Sequence, residues 1–148
     1  MAQSWRWAHA VLPDSDGENS VIEILSARMM FGPGRTPEFT TANLWHEGRH
    51  YTSVGLLSSL RNSSQRRGDR CAFRLHFDGG LVAEGEYGAD PSLSVELSYR
   101  SPDGRRLRCR NCKTGFLRLN LSRRGRPLAS LRTDDQAAVE FASPEGAA

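Results

Sequence analysis

The sequence predicts an all-β domain, an antiparallel barrel of roughly eight to eleven strands with little helix. Three observations predict it. Apolar and polar residues alternate over most of the 148 positions, turn-forming residues punctuate the alternation at short intervals, and amphipathic helices between the strands are missing.

Trp5 to Leu12 reads as a first strand, closed by the turn residues Pro13 to Gly17. Val21 to Ala27 is a second. Phe31 to Pro37, with two glycines and two prolines, reads as a loop. Thr40 to His46 and Arg49 to Val54 form a hairpin across Glu47-Gly48. Leu56, Leu57 and Leu60 mark one helical turn before a polar loop from Asn62 to Asp69. Strands resume at Cys71–Phe77, turn at Asp78-Gly79-Gly80, and continue as Leu81–Tyr87 and Leu93–Tyr99. After the turn Ser101 to Gly104 come Leu107–Cys112, Phe116–Ser122, Leu128–Thr133 and Ala137–Phe141. Residues 143–148 read as a frayed tail, and residues 1–148 as a single domain.

Period-two alternation also sorts residues by face. Cys71, Phe73, Leu75 and Phe77 oppose Arg74 and His76, while Leu117, Leu119 and Leu121 oppose Arg118, Asn120 and Ser122. Other faces carry groups that a pure core avoids. Trp5, Trp7, His9 and Val11 share one side of the first strand. Glu23 lies between Val21 and Leu25, with Ile22 and Ile24 opposite, and either side can point inward. Asn43 shares a face with Trp45, and Asn111 with Leu107 and Cys109. Polar groups that face a cavity are expected to touch one another, water or a ligand. Each has a plainer reading too: the tryptophans as barrel-bottom core, His9 as a hydrogen-bonded structural residue, Glu23 as an outward group, and Tyr87 and Tyr99 as rim tyrosines with wet hydroxyls.

Composition narrows the classes. Net charge is +3, and Lys113 is the only lysine among 20 basic residues. An arginine bias of this kind fits a GC-rich bacterial genome and is weak evidence for a nucleic-acid surface. No apolar run reaches the roughly 18 residues of a membrane helix. The N-terminus lacks the pattern of a signal peptide and there are three cysteines, so a cytoplasmic protein without a disulfide framework is expected. Cys109-Arg110-Asn111-Cys112 has the spacing of half a zinc site but no second pair follows it, so no metal is expected. Phosphate-cradling loops and nucleophile elbows are absent from the sequence, and no cofactor is expected.

Several segments together resemble a known family. They are Trp5-Arg6-Trp7, the hairpin Trp45 to Tyr51, Pro102 to Cys109 leading to Thr114–Leu119, and the closing Gln136 to Glu140. This series is similar to the C-terminal half of tocopherol cyclase-like proteins, relatives of carotenoid hydratases in the lipocalin-like superfamily. The resemblance implies a lipocalin-like barrel that folds an apolar isoprenoid or polyene substrate and closes a ring without a cofactor. It also implies a homodimer, since such proteins pack two lipocalin-like domains together and this chain matches one.

The leading expectation is therefore a cofactor-independent cyclase or isomerase acting on an apolar natural-product intermediate in the barrel cavity. Trp5, Trp7 and Trp45 would shape that cavity, with Asn43, Tyr87, Tyr99 and Asn111 as polar anchors. His9 or Glu23 would supply a proton or a hydrogen bond. The first rival is a non-catalytic carrier of a hydrophobic small molecule. A nucleic-acid-binding barrel is the second, and it is disfavoured because the aromatics share faces with leucine and valine rather than with arginine.

Overall fold

Two long strands near the C-terminus organise the sheet. In the computed structural model, which describes residues 2–14, 17–31, 34–100 and 104–145, β10 spans Arg106–Arg123 and β11 spans Arg126–Pro144. Arg124, in the left-handed region at φ 50°, and Gly125 form the turn that joins them. Before them come β1 (Ala2–Pro13), β2 (Asn19–Phe31), β3 (Gly34–Arg35), β4 (Phe39–His46) and β5 (Arg49–Ser53). A six-residue helix, α1 (Leu56–Arg61), precedes β6 (Ser63–Arg67), β7 (Arg70–His76), β8 (Leu81–Gly88) and β9 (Ser94–Arg100).

The fold is all-β, and all pairings among the described residues are antiparallel. The sheet path is β5-β4-β2-β1-β11-β10-β8-β7-β6, with β9 on the first half of β10 and the short β3 on the end of β2. No ladder joins β5 to β6 among the described residues. Side chains bridge that seam instead. Asn62 donates to the Thr40 carbonyl at 2.7 Å and to Ser53 Oγ at 2.8 Å, and its own carbonyl accepts the His76 N–H at 2.8 Å. Arg6 ion-pairs with Glu38 and donates to Ser64 Oγ at 3.2 Å. The sheet is thus curled into a barrel-like form pinned by a few polar groups.

The elements follow the sequence expectations with four corrections. Where four strands were expected after residue 106, there are two. Register shifts between Cys112 and Leu117 carry β10 through a bulge at Gly115 and change the phase of the alternation, so Cys112 and Leu117 both face the core. The polar stretch read as a loop contains the edge strand β6, whose residues show no alternation because mainly Ser64 turns inward. Within the stretch read as a loop after Phe31, Gly34–Arg35 forms β3. The expected tail is strand as far as Pro144. Residues 146–148, 15–16, 32–33 and 101–103, with the turn readings that fall on them, lie outside the described residues. The Glu47-Gly48 turn is as expected, with φ of 50° and 67° suiting a tight hairpin.

Inner rows are built from small residues on one side and large ones on the other. Ala42, Ile24, Ala8, Val139 and Cys112 form one inner row by register. Facing them are Phe73, Leu75, Tyr87, Leu117, Leu119 and Leu121, all in the buried core. Tyr87 is fully buried, its ring 6.0 Å from both Phe73 and Phe141.

Candidate functional site

The inside of the barrel is therefore occupied, and the tryptophans are not in it. On β1 the inward residues are Ala8, Ala10 and Leu12, and on β2 they are Ile22 and Ile24. Trp5, Trp7, His9, Glu23 and Leu25 project from the opposite, outer face. Register places further residues beside them in rows: Ala27–Trp5–Ala142–Cys109–Leu97, then Leu25–Trp7–Glu140–Asn111–Val95, then Asn43–Glu23–His9–Ala138. Directly opposed residues in an antiparallel pair share a face. Eight of the nine site residues expected from the sequence consequently lie on one surface, and only Tyr87 points inward. The grouping was legible; its direction is reversed, which corrects the interior cavity walled by tryptophan.

At the centre of this face is a hollow of about 370 Å³ lined by Trp5, Trp7, Leu25 and Glu140. Glu140 is its polar anchor. One carboxylate oxygen accepts the Trp5 indole N–H at 3.1 Å and the other accepts the Asn111 amide at 3.2 Å. Beside it the Cys109 thiol is buried, and burial together with the nearby Glu140 carboxylate pushes the thiol up to about 12. On the far side of Trp7, its indole N–H donates to Glu23 at 3.2 Å. His9 opposes Glu23 across the β1–β2 ladder and stacks on Trp7 with ring centres 6.1 Å apart. The two carboxylates thus orient both indoles, and among the described residues every donor they receive is neutral. No ion pair reaches Glu23 or Glu140 among the described residues.

Four expected site residues, Asn43, Trp45, Tyr87 and Tyr99, lie apart from this hollow. Trp45 is four residues along and two strands across from Trp7, about 16 Å by sheet spacing. It stacks on His50 at 4.3 Å, and His50 in turn meets Asn43 Oδ1 at 3.2 Å, a separate exposed cluster. Tyr99 stands on the edge strand β9, three strands from Trp5. The Tyr87 hydroxyl is buried without a hydrogen-bond partner in the core, and burial holds it well above the usual phenol range. Tyr87 is accordingly neither a rim residue nor an anchor on the tryptophan face.

Glu140, Leu25 and Cys109 were missed by sequence reasoning. A signal existed for Glu140, the one carboxylate in the otherwise apolar run from Ala137 to Ala142, between the core residues Val139 and Phe141. As to metal, Cys109 faces outward and Cys112 faces the core, so the half-site spacing places its two thiols on opposite sides of β10. No group of three potential ligands is found among the described residues. None of the helices among them is long and apolar enough to cross a membrane.

Comparison with known proteins gives the fold. No protein-family model matches the sequence, and no curated protein matches it closely enough to count as a relative. Among solved structures, the AttH candidate NE1406 of Nitrosomonas europaea is similar, with a TM-score of 0.61 over 94% of this chain at 11% identity. The chain spans 50% of that protein's length. At this identity the likeness is one of fold alone, and that fold is lipocalin-like.

Proposed function

We propose that this chain is a binding domain for a small molecule with a substantial apolar surface, and that the ligand sits in the outer hollow between Trp5 and Trp7. The observation that carries this reading is the hollow itself: two indoles and Leu25 form its walls, and each indole N–H is tied down by a carboxylate. Locked aromatic walls lose little entropy on binding and offer a large contact area. A few fixed polar groups in an apolar concavity are the usual composition of a small-molecule site.

The carrier reading is favoured over the cyclase or isomerase that the tocopherol cyclase resemblance implies. Ring closure through developing positive charge needs the substrate enclosed, because water otherwise competes for the reactive intermediate. A hollow open on one sheet face gives no such enclosure. His9 and Glu23 are side by side, but the Glu23 carboxylate is already engaged by Trp7.

Titration with a neutral naphthylamine dye, read by energy transfer from tryptophan, tests the reading. Trp7→Ala is expected to weaken binding about tenfold, the scale of one lost aromatic contact, while Arg124→Ala in the β10–β11 turn leaves it unchanged. Equal effects of the two substitutions would refute the placement.

A further inference from the structure

The charges around the hollow have a consequence for what it accepts. Glu140 and Glu23 flank Trp7 on either side, and both are half-buried on an apolar sheet face. Among the described residues their hydrogen-bond partners are indole N–H groups and an amide, none of which neutralises a carboxylate. This stands out in a chain with 20 basic residues and a net charge of +3. Elsewhere arginine meets acid routinely: Arg110 with Asp69, Arg118 with Asp134, Arg74 with Glu84 and Arg6 with Glu38. On the tryptophan face no arginine among the described residues reaches the two carboxylates.

We propose that the Trp5–Trp7 hollow selects an organic cation: a quaternary ammonium or protonated amine carried on an apolar body. The proposal rests on the binding function above and names the ligand class for the same site. Three features converge on it. Indole faces attract a cation through the ring quadrupole, more strongly than any other aromatic side chain. The donors to Glu140 and Glu23 pin the carboxylates in place without discharging them, so a cation entering between the indoles meets charge already oriented. Leu25 in the wall and Val95 and Leu97 beyond it continue the apolar surface, and at 39%, 60% and 40% exposure they are available to an alkyl or aryl body. A carboxylic acid or a phosphate ester would meet two like charges there and is excluded.

The experiment compares three probes that share one body and differ in charge: hexyltrimethylammonium, 1-hexanol and hexanoate, all below their micelle concentrations. Binding is read from tryptophan fluorescence in a Trp45→Phe background, which leaves Trp5 and Trp7 as the reporters. The cation is expected to bind at least tenfold more tightly than hexanol, with hexanoate weakest. Added salt should weaken the cation and not the alcohol. Glu140→Gln, which removes the charge and keeps one carbonyl oxygen to accept from either Trp5 or Asn111, is expected to weaken hexyltrimethylammonium about tenfold and leave hexanol unchanged. Equal binding of cation and alcohol, or an unaltered cation affinity in Glu140→Gln, would overturn the charge selection while leaving the hollow as a binding site. Failure of all three probes to change Trp5 and Trp7 fluorescence would remove the binding function itself. A stable dimer in light scattering, with both indoles shielded from a soluble quencher, would overturn the proposal in favour of a second copy of this chain on the face.

Discussion

Replacing Ile24 and Leu25 separately by alanine tests the assignment of faces at two adjacent residues. Ile24 is fully buried and faces Ala8 and Ala42 on the neighbouring strands, so its side chain fills the space that those two small residues leave. Truncation removes three carbons, about 2.4 kcal/mol of transfer free energy at roughly 0.8 kcal/mol each. A cavity term adds to this because alanines on both sides cannot reach into the gap, giving about 3 kcal/mol in all. Leu25 is 39% exposed on the tryptophan face. It loses at most the buried share of the same transfer term and leaves an open hollow rather than a closed void, so about 1 kcal/mol is expected. With a urea m-value of about 2 kcal/mol/M, the midpoint should fall by about 1.5 M for Ile24→Ala and about 0.5 M for Leu25→Ala. Equilibrium urea unfolding followed by circular dichroism measures both. A Leu25→Ala cost equal to or larger than that of Ile24→Ala would mean that the tryptophan face is the interior, and would overturn the assignment of faces.

Asn62→Ala should destabilise by about 3 kcal/mol, because it strips the Thr40 carbonyl and the His76 N–H of their seam partner. Hydrogen exchange should accelerate at the His76 amide before it does so in β10. Gly85→Ala places a Cβ 2.0 Å from the Arg118 carbonyl oxygen, where β8 and β10 approach closely. A loss of about 3 kcal/mol in thermal or urea unfolding is expected, and wild-type stability would contradict that approach. Cys109 should resist thiol reagents at pH 8 until the protein unfolds. Its raised value favours the protonated form in the fold, so its contribution is intact below the ordinary thiol range near 9 and declines as pH rises from there toward about 12. Cys109→Ala should flatten that alkaline loss of stability, and an unchanged pH profile would count against the buried thiol.

Much of the fold was legible in the sequence because a strand advertises itself by period-two alternation and a turn by its residues. The first two strands, the Glu47-Gly48 hairpin, the helical turn at Leu56 and the strands around Asp78–Gly80 follow from those signals. Alternation fails where geometry overrides it. At Lys113–Gly115 a bulge changes the phase within one strand, which makes β10 look like two. Ser63–Arg67 lies at an edge and buries little, so it has no pattern to show.

The site divides along the same line. Which residues share a face is a local property, and the sequence alone determined that Trp5, Trp7 and His9 go together and that Glu23 goes with Val21 and Leu25. Which of two faces points inward is not local, since both sides of β1 and β2 carry apolar residues. Tertiary structure decided it through curvature. A tightly curled sheet leaves little room on its concave side, so Ala8, Ala10 and Ala42 turn in beneath Tyr87 and the leucines of β10, and the bulky indoles remain outside. Pairing between distant strands then brought Glu140 and Asn111 to Trp5 and Trp7 across 135 and more than 100 residues of sequence, respectively. No local pattern carries that information, because only closing the β1–β11 and β10–β11 ladders sets those residues in one row.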